Sequence, residues 1–227
     1  MLPDELPIFP LRVVLFPGML LPLHIFEDRY KTMVQECIQR RAPFGVALSK
    51  SPHEAAETAL PHEVGTSARI LQVVYLDEGE MHLAVAGHER FRIVEIAQWE
   101  PFLKAIVQPT TDIESQGPRL EELTVTAGGL FRDYLALLLK LAGQEPPALQ
   151  LPEEPHVLSY SVAANLDISL PEKQQLLETD SVGSRLTREI GLLRRETEKQ
   201  RAFLAVRQKL ADDQTRRGDD RAKFWLN

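Results

Sequence analysis

The sequence predicts an α+β fold, in which a bent β-sheet or barrel with one helix inserted early is followed by a helical bundle ending in a long helix. Three observations carry this. An apolar, proline-punctuated ribbon fills the first thirty residues, hydrophobic alternation of period two runs to about residue 107, and the period switches to 3.6 near Thr110. The expected boundaries are 1–113 for the β part, 114–212 for the bundle and 213–227 for a flexible or docking tail.

In the ribbon, two β-leaning runs flank Phe16-Pro17-Gly18. Proline fixes φ and glycine accepts positive φ, so Pro17 and Gly18 suit the two central positions of a type II turn. Pro7, Pro10 and Pro22 each lack a backbone donor, which assigns both runs to edges, strand starts or bulges. Tyr30, Met33, Val34, Cys37 and Ile38 then share one face of a helix over 28–40, ended by Pro43. Phe44 to Leu48 reads as a short buried strand and Ser51 to Pro61 as a loop. Val64, Thr66, Ala68 and Ile70 alternate before the apolar set shifts to Leu71, Val73 and Tyr75, the mark of a bulge or bend. Asp77 to Glu80 is a hairpin turn, and Met81, Leu83 and Val85 line the return strand. Gly87 to Arg90 connects it to a further strand from Phe91 to Ile96, and Phe102 to Val107 completes the set.

Beyond Thr110 the elements are helical. Pro118 suits a first turn, and Leu120, Leu123, Ala127, Leu130, Phe131, Tyr134, Leu138 and Leu141 follow at three- and four-residue steps up to Gly143. Gly128-Gly129 inside this helix calls for a close neighbour or a break. Pro155 opens a second helix to about Asn165, Ser169-x-x-Glu172 forms a capping box for a third, and Asp180 or Ser181 caps the long fourth. Val182, Leu186, Ile190 and Leu193 give the last helix a core stripe. From Arg194 to Arg201 the stripe is lost, so this part is expected to leave the core.

Composition narrows the function. The 227 residues are 44% hydrophobic and 26% charged with net charge −7, an ordinary globular balance without general affinity for polyanions. A single cysteine, Cys37, excludes an internal disulfide and fits a reducing compartment. No apolar run approaches a bilayer span of roughly 20 residues, and acidic Asp4 and Glu5 with early prolines do not form a secretory signal. The expected location is the cytoplasm, with no membrane partner.

Catalytic signatures are equally sparse. No G-x-x-x-x-G-K-[ST] run exists to cradle phosphates, and the six histidines form no H-E-x-x-H and no paired-cysteine site, so the expectation is no cofactor, no metal and no catalytic residue. His53 and His62 share their loop with Glu54, Glu57 and Glu63 and read as solvated; His82 and His88 read as exposed residues of one strand face. Cys37 belongs to an apolar helix face and reads as a buried thiol. Arg185, Arg188, Arg194 and Arg195 could meet RNA, but interleaved Glu189, Glu196 and Glu198 dilute their field and favour a solvated helix.

The order L-P-I-F-P-L-R (6–12), F-P-G (16–18) and L-P-L-x-I-F-E-x-R-Y (21–30) resembles the N-terminal substrate-recognition domain of the ATP-dependent Lon proteases, a family that also occurs as stand-alone proteins. Val64-Gly65-Thr66, Gly87-His88-Glu89-Arg90-Phe91 and Leu170-Pro171-Glu172-Lys173-Gln174 repeat the match in order, over roughly residues 5 to 210. Its motif positions here are Pro7, Pro10, Pro17, Gly18, Gly65, Gly87 and Arg90, expected to serve the fold. The resemblance implies a barrel similar to the pseudouridine-synthase-and-archaeosine-transglycosylase (PUA) fold, and neither the Lon ATPase nor its Ser-Lys protease site. It implies a non-catalytic module that binds unfolded or client polypeptides as an adaptor in protein quality control, with a separate ATP-dependent protease or chaperone as a second candidate partner. Two alternatives stay open: an enzyme or small-ligand protein with a cleft between barrel and helices, and an RNA-binding PUA-like module. Leu20, Leu21, Leu23, Ile25 and Phe26 make the second run apolar on both faces, and Leu21, Leu23 and Phe26 are the candidate peptide-binding residues. Cover by the helical bundle is the competing expectation for that surface.

Overall fold

The computed structural model describes residues 2–50, 60–113 and 117–224; the loop positions His53, Glu54 and Glu57 lie outside these. The N-terminal half contains β1 (Glu5–Leu11), β2 (Leu20–Ile25), α1 (Asp28–Arg40), β3 (Phe44–Ser49), β4 (Pro61–Tyr75), β5 (Met81–Gln98) and β6 (Lys104–Pro109). Four helices follow: α2 (Pro118–Leu141), α3 (Pro155–Asn165), α4 (Leu170–Leu177) and α5 (Val182–Phe224). The strands make one sheet in the order β2-β5-β4-β3-β1-β6, and β6 pairs back onto β5. The sheet thereby closes into a ring that leaves β2 outside it.

Closure depends on β5 being long enough to serve two neighbours. Met81 to Ala86 pairs with β2 and Phe91 to Gln98 with β6, while β4 runs beside both halves. The β4–β5 register slips between Thr66 and Ala68 and between Ile70 and Gln72. The second slip is the change of apolar face read at Leu71, and such bulges bend a sheet toward closure. The connector expected at Gly87 to Arg90 is absent, because β5 is continuous there. Gly87 is instead a point of close approach: a Cβ at this position would lie 2.2 Å from the Phe16 carbonyl oxygen. Its N–H donates to Met19 O and its carbonyl accepts from Gly18 N–H, both at 2.9 Å.

The turn at Phe16-Pro17-Gly18 forms as expected, with Gly18 at φ 79° and Met19 N–H donating to Phe16 O at 3.0 Å. The strands beside it do not pair with each other. β1 ends at Leu11, and Val14, Leu15 and Phe16 are buried irregular chain, with the Leu15 carbonyl accepting from Thr66 Oγ1 at 2.6 Å. As the prolines require, β1 is nowhere laddered on both sides, although it lies between β3 and β6 in the sheet order. Glu5 to Pro7 pairs with β6 and Ile8 to Leu11 with β3, so each segment meets a neighbour on one side only and the missing donors go unneeded.

Helix α1 ends where Arg41 turns left-handed at φ 51° and the amides of Arg41 and Ala42 donate to Ile38 and Cys37 carbonyls. Helix α2 is unbroken across Gly128-Gly129; Leu158 of α3 passes Gly128 at ordinary contact distance. The capping box at Ser169 and Glu172 is present on α4. Helix α5 corrects the expectation that Arg194 to Arg201 leaves the core. Glu196 and Thr197 are buried, and Arg207 Nη1 donates to Leu141 O at 2.8 Å, so α5 stays on α2 to that helix's last residue. Its backbone continues helical to Phe224.

Apolar side chains gather in three clusters. Leu6, Ile8, Ala47 and Ala105 surround Phe91, whose ring tip would lie 2.6 Å from a Cβ at Gly65, which explains the glycine there. A second cluster joins Phe9, Phe44, Val85 and Phe102 to the inner face of α1. The third draws Val14, Phe16, Leu48 and Val64 of the β part into contact with buried residues of α2 to α5. That shared core fixes the helices against the barrel.

Candidate functional site

Among the described residues, strand β2 pairs with β5 alone, through Leu20↔Ala86, Pro22↔Ala84 and His24↔His82, alternating with Leu21↔Val85, Leu23↔Leu83 and Ile25↔Met81. Side chains alternate across a strand, so these two sets occupy opposite faces. Ile25, Val85, Leu83 and Met81 are buried, and Leu21 and Leu23 pack half-buried on the cluster under α1. The other face is open. Leu20 is 65% exposed, Val74 of β4 46%, Leu71 at the bulge 60%, and Phe26, whose ring stands 5.7 Å from His24, 57%. Because Gly87 N–H bonds to Met19 O, antiparallel alternation puts Leu20, Pro22 and His24 at non-hydrogen-bonded positions, with their own N–H and C=O groups directed to the strand's outer edge. Such pairs hold their side chains close, and the His24 and His82 rings meet edge-on at 4.8 Å while His24 Nε2 bonds Glu80 Oε2 at 2.7 Å. The result is an apolar strip beside a strand edge whose only missing donor is Pro22.

A second polar feature lies at the seam between barrel and helices. Arg90 of β5 is buried and donates to Leu177 O, to Asp180 Oδ1 and to Asp112 Oδ1 at 2.7, 3.0 and 2.8 Å. Asp112 also accepts from Tyr160 and from Arg185, whose guanidinium lies 4.1 Å from the Tyr160 ring centroid. Arg185 Nε donates to Ser159 Oγ, which donates in turn to Glu189 Oε1. Burial alone would raise the Asp112 pKa, but hydrogen bonds from Arg185 and Tyr160 and the charges of both arginines outweigh it and hold it below its ordinary value. Glu189 goes the other way. Burial pushes its pKa well above the carboxylate range, and the Ser159 bond and the Arg185 charge offset this only in part. Burial likewise raises Tyr160.

With this geometry in place, comparison with known proteins is informative. A sequence profile described as the ATP-dependent protease La (LON) substrate-binding domain matches residues 5–195. The chain belongs to this family. It is 32% identical over 200 residues to Lon protease 2 of Myxococcus xanthus, covering 87% of this chain and 24% of that protein. It is 30% identical over 200 residues to the Lon protease of Anaeromyxobacter dehalogenans (strain 2CP-C), with the same coverage of 87% and 24%. The chain therefore spans about a quarter of the length of these curated relatives. Among solved structures, a Lon N-terminal domain protein from Xanthomonas campestris superposes with TM-score 0.62 at 25% identity, over 82% of this chain and 97% of that one. The N-terminal domain of Mycobacterium avium complex Lon protease gives TM-score 0.62 at 19% identity over 83% and 97%, a likeness of fold.

Within this Lon-type domain, the three peptide-binding candidates separate: Phe26 is exposed, whereas Leu21 and Leu23 rest on the barrel core. The helical bundle is not what covers their inward face. Of the arginines weighed for RNA, Arg185 is buried, Arg188 bonds Gln175, and Arg195 bonds Glu172 and Glu196, so the four do not form one basic surface. His62 and Glu63 belong to β4 and not to a loop, and His62 Nδ1 lies 3.6 Å from Glu178. Cys37 is buried, and burial first and Glu36 second push its thiol up to about 11, away from a nucleophile's range. Among the described residues, no group of three or more His, Cys, Asp and Glu side chains is arranged to hold a metal ion, and no helix is long and apolar enough to cross a membrane. The sequence reading missed the seam. Its signal was present: Arg185, Glu189 and Glu196 fall at three- and four-residue steps along the stripe of Val182, Leu186 and Leu193.

Proposed function

We propose that this chain is a non-catalytic polypeptide-binding module that takes up extended apolar segments on the outer face of β2, β5 and β4. The observation that carries the reading is the coincidence of exposed Leu20, Phe26, Leu71 and Val74 with a strand paired on one side only. An incoming strand gains backbone bonds at the free groups of Leu20 and His24 and buries its apolar side chains on the strip. Covering about 300 Å² of apolar surface yields on the order of 7 kcal/mol before the ordering costs of association, which leaves weak, sequence-tolerant binding. The substrate-binding role named in the family's description supports the same reading. As part of the proposal, the module serves as an adaptor or client-binding protein in cytoplasmic protein quality control, passing clients to a separate ATP-dependent protease or chaperone.

The test is the pair Leu20→Ser and Phe26→Ser, alone and combined, titrated against a reduced, fluorescently labelled unfolded protein. The combined variant is expected to stay folded and to bind roughly tenfold more weakly, the loss of about 1.4 kcal/mol. Unchanged affinity in a folded variant would remove this surface. ATP or casein hydrolysis that survives repurification and tracks with the protein would overturn the non-catalytic part.

A further inference from the structure

In the sequence His82 stands beside His88, but the sheet sets it directly across from His24, at a non-hydrogen-bonded position where the two backbones come closest. The two rings stand 4.8 Å apart, centroid to centroid, and meet edge-on with 82° between their planes. A divalent transition ion lies ~2.0–2.1 Å from an imidazole nitrogen and hence about 3.2 Å from the ring centre, so two imidazoles bound at roughly 90–110° around one ion stand about 4.5–5.2 Å apart. The pair already has that separation. Turning the rings about their Cβ–Cγ bonds brings one nitrogen of each toward a common point, and the strands need not move. A second feature acts on His24, whose Nε2 bonds Glu80 Oε2 at 2.7 Å. Donation from Nε2–H to the carboxylate leaves the lone pair on Nδ1, and such a partner orients a ligating imidazole and raises its basicity. His82 is exposed, which leaves its ring free to turn. The adjoining hairpin adds negative charge: among the described residues, Tyr75, Leu76, Asp77, Glu78 and Glu80 line a surface hollow with no basic side chain in its wall. Lys31, which donates to Glu78 O, has its own charge matched by Asp28.

We propose that His24 and His82 together bind a divalent transition-metal ion of the zinc, nickel and copper class, through Nδ1 of His24 and one ring nitrogen of His82, with Glu80 as the positioning residue behind His24. Two imidazoles select such ions over magnesium and calcium, which take oxygen ligands. Among the described residues no group of three His, Cys, Asp and Glu side chains is arranged as a cage, so the site is an open one with two protein ligands, and its other positions go to water. The assignment rests on the histidine pair and does not depend on polypeptide binding at the same face.

Calorimetric titration of the intact protein with zinc chloride, and separately with magnesium chloride, tests the proposal. Saturable binding of one zinc ion, without comparable binding of magnesium, supports it. Both histidines lie on the open face, with the His24 side chain 48% exposed, so His24→Asn and His82→Asn are expected to keep the wild-type melting temperature. Each is expected to bind zinc at least about tenfold more weakly, since either change removes one of the two ligands. The role of Glu80 is read from the imidazole nitrogen NMR shifts. His24 is expected as the Nε2–H tautomer in the wild type and as a mixture of tautomers in Glu80→Ala, with zinc affinity lower by about tenfold. A purely structural role for Glu80 would leave the tautomer unmoved. No saturable zinc binding, magnesium binding as tight as zinc, or a folded His82→Asn variant that titrates like the wild type would each overturn the site; an unmoved tautomer and unchanged affinity in Glu80→Ala would overturn the part given to Glu80.

Discussion

The seam and the β2 face invert the usual placement of residue types in opposite ways. At the seam, Arg90, Arg185 and Glu189 are buried between barrel and helices; on the β2 face, Leu20, Leu71 and Phe26 stand in solvent. The seam tolerates its charges because nearly every donor there has an acceptor, from Asp112 to the Leu177 and Thr179 carbonyls. An arrangement of that kind contributes geometry more than net stability, since well-packed apolar residues would hold the two halves equally well. The β2 face carries no such network, and its exposed leucines do little for the fold. A substitution at the seam should therefore cost stability and leave binding of polypeptides alone, while one on the strip should do the reverse.

The largest expected effect is at Asp112. Asp112→Asn removes the carboxylate paired with buried Arg185 and leaves Arg90 with Asp180 alone, and should destabilise by about 3–5 kcal/mol at neutral pH, measured by urea unfolding. The folded-state pKa of Asp112 is depressed, so its contribution is present above the unfolded value of 3.8 and lost as pH falls through the lower folded value. The difference from wild type should accordingly shrink as pH falls below 3.8. Polypeptide affinity should stay within about twofold while the variant is folded. A large loss of affinity would mean that seam and strip are coupled.

Leu23→Ser comes next and divides the strip from what lies beneath it. Leu23 points inward opposite Leu83, so its truncation should cost about 2 kcal/mol, whereas Leu20→Ser on the opposite face should stay within about 0.5 kcal/mol. Equal costs for the two would overturn the assignment of faces.

These contrasts also show what the sequence could reveal. Local rules worked where neighbours in sequence decide the outcome. The apolar spacing of Tyr30, Met33, Val34 and Cys37 located α1, the shift at Leu71 located a bulge, and Ser169 with Glu172 located a cap. They failed where a distant segment decides. Gly87 read as a loop glycine because nothing nearby reveals that Phe16 O needs its missing Cβ. Pro7 and Pro10 rightly indicated a run that is not laddered on both sides, but how β1 achieves this, by exchanging β6 for β3, depends on residues about forty and a hundred positions away. Arg185 and Glu189 read as a solvated pair because charge was given more weight than position on the helix, although the 3.6-residue period places both on the buried stripe. For the candidate strip, the apolar run itself was legible, but which of its residues face outward depends on the pairing with β5.

A smaller effect is expected at Glu189, with the opposite dependence on pH from Asp112. Its folded-state pKa is raised, so the stability it contributes is complete below the unfolded value of 4.5 and is lost as pH rises toward the folded value. Glu189→Gln has no such loss. Melting temperatures of the two proteins should nearly coincide at pH 4 and diverge above it, with the variant higher. A constant offset from pH 4 to 9 would show that the carboxyl is not buried in neutral form.

The smallest expected change in stability, and the sharpest test of the open edge, is Pro22→Val. Pro22 sits opposite Ala84 at a non-hydrogen-bonded position, so the donor it lacks belongs to the outer edge and not to the ladder with β5. Proline in this setting blunts an edge against indiscriminate pairing. Valine favours strand backbone and restores one outward N–H between those of Leu20 and His24, leaving the existing ladder unchanged. Stability should therefore move by less than about 0.5 kcal/mol. An extended polypeptide gains one backbone hydrogen bond worth about 0.5–1.5 kcal/mol, so affinity should rise by roughly two- to tenfold, with self-association at high concentration as the accompanying cost. If Pro22→Val instead loses about 2 kcal/mol or more of stability, position 22 faces β5 and the edge is already occupied. If affinity stays flat while Leu20→Ser lowers it, clients bind through side chains on the strip and do not add a strand.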